Sequence, residues 1–112
     1  MTQVDAKQDR VNTVIDVLNK ARSMELYAVH QYMNQHYTLD DLDYGEFASK
    51  IKLISIDEMR HAEEFAERIK ELGGEPCHEL SAKVVKGQKV TDVFPFNQDV
   101  EEDTIETYKK FL

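Results

Sequence analysis

A glutamate and a histidine separated by two residues are the side chains of this sequence whose spacing most directly indicates a chemistry. Glu58 and His61 lie in the segment Ser55-Ile-Asp-Glu-Met-Arg-His-Ala62. Side chains three positions apart leave the same face of an α-helix, so this carboxylate and imidazole can bind one cation together. Mixed oxygen and nitrogen ligands suit iron or manganese better than metals that prefer thiolates. The pair therefore predicts one part of a metal site.

Two further glutamates interrupt apolar helix faces. Glu25 lies between Ala21 and Ala28, and Glu101 lies one turn before Ile105. An ionised carboxylate is rarely buried unless it is paired or bound to a metal. One such residue alone is ordinary at the edge of an amphipathic helix, whereas several on the inner faces of three helices favour a shared metal site. The predicted metal ligands are Glu25, Glu58, His61 and Glu101, a set that matches three of the four helix contributions in di-iron bundles.

A tyrosine accompanies the first of these glutamates. Tyr32 lies one heptad after Glu25, so both belong to the same helix face. It is predicted to act beside Glu25, Glu58 and His61 as a hydrogen-bond donor to the metal ligands or as a radical relay. A core tyrosine with a bonded hydroxyl group explains the same position, and the sequence leaves both interpretations open.

The elements that position these residues are predicted to be α-helices within one domain, residues 1–112. Apolar periodicity predicts helices at about 9–39, 44–73 and 94–112, and a connector over 74–93 that crosses the end of the helical hairpin. The core faces should contain Val11, Val14, Leu18, Ala21, Ala28, Tyr32 and His36 in the first helix, Phe47, Ile51, Ile54, Phe65, Arg68 and Leu72 in the second, and Phe94, Ile105, Tyr108 and Leu112 in the third. The fold class is all-α: an antiparallel hairpin plus a short third helix, which is a partial four-helix bundle completed by oligomerisation.

Local signals mark the helix ends. Gly73 followed by Pro76 is typical of the end of a helix, and Pro95 suits the first turn of the third helix. Asp43 with Glu46 three positions later predicts a capping box at the start of the second helix.

Composition excludes several function classes. The net charge is −8, which disfavours nucleic acid and anionic membrane surfaces as partners and favours cations. The single cysteine excludes an internal disulfide framework, in keeping with a cytoplasmic location. No apolar run approaches the roughly 20 residues of a membrane span.

A second face of the middle helix predicts contact with another copy of the chain. Its members are soft or small residues interspersed with charges: Lys52, Ile56, Met59, Glu63 and Ala66. The unfilled inner face of a three-helix bundle would also favour association. We therefore expect a homo-oligomer, at least a dimer.

The sequence resembles the bacterioferritin family of the ferritin-like superfamily. The resemblance rests on four segments, of which the block around Glu58 is the most specific: 14–20, 25–32, 55–62 and 67–76. It implies a di-iron centre that oxidises Fe(II) with dioxygen or peroxide for iron storage or detoxification, with Glu25, Glu58, His61 and Glu101 among its ligands. It also implies haem held at a two-fold interface by Met59 from each subunit, and assembly into a hollow shell.

The sequence departs from the family pattern because it lacks the fourth helix that carries a second Glu-x-x-His. A truncated chain, a short family member, or two chains that complete each other would each explain the difference. In the last case a two-fold axis would unite two copies of Glu25 with two of Glu58 and His61. Two other functions stay open, which are di-iron peroxide reduction as in rubrerythrins and a non-catalytic haem-binding or helical assembly module.

Overall fold

The computed structural model describes residues 3–111, which form three α-helices: α1 (Gln3–Asp41), α2 (Gly45–Glu71) and α3 (Val90–Phe111). No strand occurs among these residues, and the all-α prediction is confirmed. The 39 residues of α1 span about 58 Å at 1.5 Å per residue, which accounts for the long dimension of the 61 × 22 × 18 Å molecule. The predicted end of the third helix at Leu112 lies outside the described residues.

Helix α1 begins six positions before the predicted start, about residue 9. The segment 3–10 contains no Gly or Pro and has no apolar period, and its only valine, Val4, is 76% exposed. It extends the helix because good helix formers add turns readily to an existing helix. The predicted face of α1 is confirmed where Ala21, Ala28 and Tyr32 are buried, whereas Val14 is 46% exposed.

Helices α1 and α2 form an antiparallel hairpin whose register is fixed by polar contacts at heptad spacing. Each contact joins a side chain of one helix to a backbone carbonyl of the other, at 2.6–2.9 Å. Passing along α1, the contacts are Arg22 with Ala62, Val29 with Ser55, and His36 with Ala48. The α2 numbers fall as the α1 numbers rise, as antiparallel packing requires.

The buried face of α2 combines small side chains with two isoleucines, Ile51 and Ile69. Ala48, Ser55 and Ala62 are all at least 98% buried and allow the two helices to approach closely. The prediction that Ile54 lies on the core face was wrong, because it is 44% exposed and lines an open groove beside α3. The predicted core position of Ile51 is confirmed, because it is 3% exposed and packs in one cluster with Ala28 and Tyr32 of α1.

The C-terminal ends of α1 and α2 use the same hydrogen-bond pattern. The N–H of Tyr44 donates to Leu39 O at 2.9 Å, and that of Gly74 donates to Ile69 O at 2.9 Å. The residue before each donor has a left-handed backbone, with φ of 67° at Asp43 and 85° at Gly73. The predicted stop at Gly73 is confirmed. The capping-box prediction was wrong, because Asp43 turns the chain out of α1, and Tyr44 caps α2 without a side-chain bond.

The connector between α2 and α3 runs lengthwise beside α1. Its residues from 75 to 88 bond in order to α1 side chains and backbone from Asn19 to Gln35. The prediction that it crosses the end of the hairpin was therefore wrong. A lengthwise path lets α1 bond the connector's backbone N–H and C=O groups at several points, which a short crossing could not provide.

Helix α3 starts four positions before the predicted residue 94, so Pro95 lies inside it. The proline removes one backbone hydrogen bond. The extra first turn is nevertheless formed, because it buries Val93, which is 1% exposed, and packs Val90 against the core. Tertiary burial outweighs the local preference for a helix start at the proline.

Part of the predicted apolar face of α3 stays open. Phe94 and Ile105 are 66% and 51% exposed, although the Phe94 ring stacks on Phe47 with ring centroids 4.6 Å apart. Between residues 3 and 111, no helix combines the length and the apolar character that crossing a bilayer requires.

Candidate metal centre

Three of the predicted ligands meet between the middle of α1 and the middle of α2. Glu25, Glu58 and His61 each offer a ligand atom within 4.8 Å of the others. The Nδ1 atom of His61 lies 3.4 Å from Glu58 Oε2 and 3.8 Å from Glu25 Oε2. The antiparallel register explains this meeting, because it sets the turn of α1 at Glu25 opposite the Glu-x-x-His turn of α2. Two carboxylates and one imidazole at this separation can hold a divalent cation.

Glu25 is the most deeply buried of the three ligands, so a bound cation would stabilise it most. Its side chain is only 7% exposed, and this burial raises the pKa of the Glu25 carboxyl. The hydrogen bond from Tyr108 and the interaction with His61 lower the same pKa, whereas the nearby charge of Glu101 raises it further. The arrangement therefore fits a metal ion, because a positive charge here would offset the cost of burying this carboxylate.

Two tyrosines link the carboxylates of α1 and α3 in a reciprocal pattern. The hydroxyl of Tyr108 donates to Glu25 Oε1 at 2.7 Å, and that of Tyr32 donates to Glu101 Oε1 at 2.6 Å. These short bonds to carboxylates are of the charge-assisted kind. Burial raises the pKa of both phenols, and the neighbouring carboxylates raise it further, so both hydroxyls stay protonated donors at neutral pH.

Sequence reasoning placed Tyr108 on an apolar face and missed its contact with Glu25. A signal was present, because Glu25 and Tyr32 in α1 have the same spacing as Glu101 and Tyr108 in α3. Two copies of this Glu–Tyr pair on antiparallel helices bring each tyrosine opposite the other helix's glutamate. The repeat could therefore have predicted the cross-bonds if the helix directions had been known.

Glu101 lies at the edge of the cluster rather than within it. It is exposed, and one of its oxygens accepts the Tyr32 bond. It lines the same open groove as Glu58, with a volume of about 550 Å³. The structure thus brings Glu25, Glu58 and His61 together, holds Glu101 beside them, and connects Tyr32 to Glu101 rather than to the α2 ligands.

Met59 does not take part in this cluster. It is 52% exposed and belongs to the outward face of α2, on which Lys52 and Glu63 are also exposed. Its thioether is accessible, while the neighbouring Glu58 points to the groove. Adjacent residues of one helix therefore serve two different surfaces, as a helical turn of about 100° per residue requires.

Comparison with known proteins places this geometry in a family. A family model described as "Ferritin-like domain" matches residues 15–112. A bacterioferritin of Desulfovibrio desulfuricans is 63% identical over 106 residues, which cover 95% of this chain and 59% of the relative. A bacterioferritin of Streptomyces coelicolor is 34% identical over 97 residues, which cover 87% of this chain and 58% of the relative.

Solved structures give the same answer. The X-ray structure of the Desulfovibrio desulfuricans bacterioferritin, described as showing its diiron site in different catalytic states, is similar with a TM-score of 0.90 and 63% identity, covering 93% of this chain and 61% of that one. A Mycobacterium tuberculosis bacterioferritin is similar with a TM-score of 0.82 and 32% identity, covering 88% and 62%. The chain thus spans about 60% of the length of these relatives.

Proposed function

Because this chain belongs to the ferritin-like domain family, we propose that it binds iron between α1 and α2 and oxidises Fe(II) to Fe(III), as a di-iron ferroxidase for iron storage or detoxification. The observation that carries the proposal is the convergence of buried Glu25 with Glu58 and His61 within 4.8 Å. A structural role for three such groups would not require a buried carboxylate beside two other titratable groups.

The chain's own residues have distinct tasks in this proposal. Glu25, Glu58 and His61 hold the iron, and Glu101 completes the set from α3. The negative charge of these carboxylates favours the ferric over the ferrous ion, because the interaction grows with the charge of the cation. When bound, iron supplies the redox chemistry, in which two Fe(II) ions give two electrons to dioxygen or peroxide.

The tyrosines keep the carboxylates ready to bind. The Tyr108 hydrogen bond lowers the pKa of Glu25 and so opposes the effect of burial. The Tyr32 bond engages one oxygen of Glu101, so the second oxygen can bind the metal. A metal ion binds a deprotonated ligand, so a bond that lowers the pKa of Glu25 favours iron binding.

The exposure of the site and the net charge of the chain determine how the oxidant and Fe(II) reach the ligands. The groove beside Glu58 and Glu101 is open, and the side chain of His61 is 52% exposed, so a small oxidant can reach the centre. The net charge of −8 raises the local concentration of Fe(II), an effect that falls with ionic strength.

We also propose that the chain acts in the cytoplasm as a homo-oligomer. The exposed apolar residues Ile54 and Phe94, which line the groove, and Ile105 of α3 favour association. The accessible thioether of Met59 fits a haem ligand shared with a second copy. Replacing Met59 by Leu should then alter the Soret band that appears on haem addition and leave Fe(II) binding unchanged.

The decisive experiment is anaerobic Fe(II) titration of the double variant Glu58→Ala and His61→Ala. We expect it to lose stoichiometric binding, and to lose Fe(III) formation when dioxygen or peroxide is added. The matched control is Arg68→Ala with Glu71→Ala, an exposed pair on the same helix at the same spacing. A titration of the first variant that matches the unsubstituted chain would refute the assignment. Comparing the two oxidants by stopped flow separates ferroxidase from peroxide-reducing chemistry.

A further inference from the structure

Four side-chain amides form a hydrogen-bonded chain that runs from the connector through α1 to α3. We call Gln31, Gln88, Gln35 and Asn97 the amide network. Gln31 and Gln35 are 0% and 1% exposed, so their hydrogen bonds are made away from water. Buried side-chain amides need partners for nearly all of their polar atoms, and an extended set of them specifies one arrangement of the elements that carry them.

The orientation of every amide in the network follows from a backbone group. Val85 in the connector donates its N–H to Gln31 Oε1 and accepts from Gln31 Nε2, both at 2.8 Å. This assignment places the NH2 group of Gln31 beside Gln88, so the atom of Gln88 that faces it must be the acceptor Oε1, at 3.2 Å. Gln35 Nε2 donates to the same oxygen at 2.8 Å.

The network ends on α3. Gln35 Nε2 donates to Asn97 Oδ1 at 2.7 Å, and Asn97 Nδ2 donates back to Gln35 Oε1 at 2.9 Å. Neither amide of this reciprocal pair can be turned over, because turning one would place its NH2 group against the NH2 group of the other. The connector's backbone therefore dictates where Asn97 sits.

Asn97 lies one helical turn before Glu101, on the same side of α3. Along the α1–α3 contact, the bonds from Gln35 to Asn97, from Tyr32 to Glu101 and from Tyr108 to Glu25 follow one another in antiparallel register. Only the last two belong to the metal centre. Apart from these bonds, α3 packs on α1 far more sparsely than α2 does.

We propose that the amide network is a positioning device that sets the register of α3 and so holds Glu101 and Tyr108 at the metal centre; this inference rests on the function proposed above. A slip of α3 by one residue would move each side chain about 1.5 Å along the axis and turn it by about 100°. Such a slip would remove Glu101 and Tyr108 from their partners on α1. The network excludes it, because Asn97 would lose both bonds to Gln35.

The test is Co(II) titration of the full chain, followed by its visible absorption bands. Asn97→Ala and Gln88→Ala should each weaken Co(II) binding about tenfold or more, the usual effect of losing a partner that orients a metal ligand. Gln88 lies outside all three helices, so its replacement tests the network even if the Asn97 variant folds poorly. Gln98→Ala removes an exposed amide of α3 that bonds only Glu102 among the described contacts, and should leave binding unchanged.

A second background separates positioning from general stability. In a chain that already carries Glu101→Ala and Tyr108→Phe, the two network replacements should change Co(II) affinity less than about twofold, because α3 then has nothing left to position. Equal losses in both backgrounds, or unchanged binding in the first, would overturn the inference. An unsubstituted chain that binds no Co(II) would instead overturn the proposed metal centre itself.

Discussion

Replacing Tyr108 by Phe removes one hydroxyl group and leaves a buried carboxylate short of a donor. Glu25, its acceptor at 2.7 Å, has a side chain only 7% exposed, so water cannot readily substitute for the lost bond. A hydrogen bond to a charged group contributes about 1.5–3 kcal/mol to stability. Most of this contribution is lost when the buried acceptor is left without a donor. We expect the free energy of unfolding of the metal-free protein to fall by about 2 kcal/mol.

The same replacement at Tyr32 provides the matched control. Its hydroxyl also bonds a carboxylate, at 2.6 Å, but Glu101 is exposed and can exchange the bond for water. The Phe that replaces Tyr32 buries no polar atom. We therefore expect a cost of only about 0.5 kcal/mol, at the low end for a hydrogen bond. Bond length alone would predict the opposite order.

The assay is thermal and urea unfolding with a chelator present, at one fixed protein concentration because the proposed association would make stability depend on concentration. For a domain of this size, about 2 kcal/mol corresponds to a Tm lowered by roughly 10 °C. Burial raises the pKa of Glu25, and the Tyr108 bond favours its ionised form, so the difference between the chains should shrink as pH falls through that pKa. A Tyr32 variant as unstable as the Tyr108 variant would refute the reasoning.

Three further perturbations test other parts of the structure. Glu25→Gln removes a buried carboxylate whose pKa is raised by burial, so the metal-free protein should become more stable at neutral pH and should lose the gain in stability that the unsubstituted chain shows on acidification. Urea unfolding against pH measures both effects, and a destabilised variant would contradict them. The same variant should bind no Fe(II) in a titration. Gly74→Ala puts a Cβ 2.8 Å from Ile15 Cγ2 and should cost about 1–3 kcal/mol in urea unfolding, whereas Gly45→Ala, whose Cβ meets only a side-chain oxygen at 4.0 Å, should change little; equal effects would contradict the packing argument. Arg22→Met removes bonds to backbone carbonyls of α2 and the connector at 2.6 and 2.9 Å and should lower the unfolding free energy by about 2 kcal/mol, which an unchanged Tm would contradict.

The prediction of α2 shows where periodicity stops being informative. Apolar spacing correctly indicated a helix and placed Glu58 and His61 on one face. It placed Ile51 correctly in the core, but it also placed Ile54 there and left out Ala48 and Ser55, because it weighed large apolar residues above small ones. Close helix packing favours small side chains at the contact, and no count of hydrophobic residues in one helix contains the partner's shape.

The amide network marks a second limit. Gln31 and Gln35 read as polar residues within α1, with nothing in their spacing to indicate burial. They are buried because the connector returns along α1 and supplies backbone partners at Val85. A partner 54 residues away cannot be inferred from local pattern.

The residue types and their helical spacing by themselves determined three helices, the Glu-x-x-His pair and the glutamates on inner faces, since these features depend only on neighbours within a few turns. The tertiary structure alone decided that Tyr108 bonds Glu25, that Glu101 lies at the edge of the cluster, and that the connector orients α3. Those contacts join residues far apart in the chain, and they exist only once helix direction and register have been set by packing.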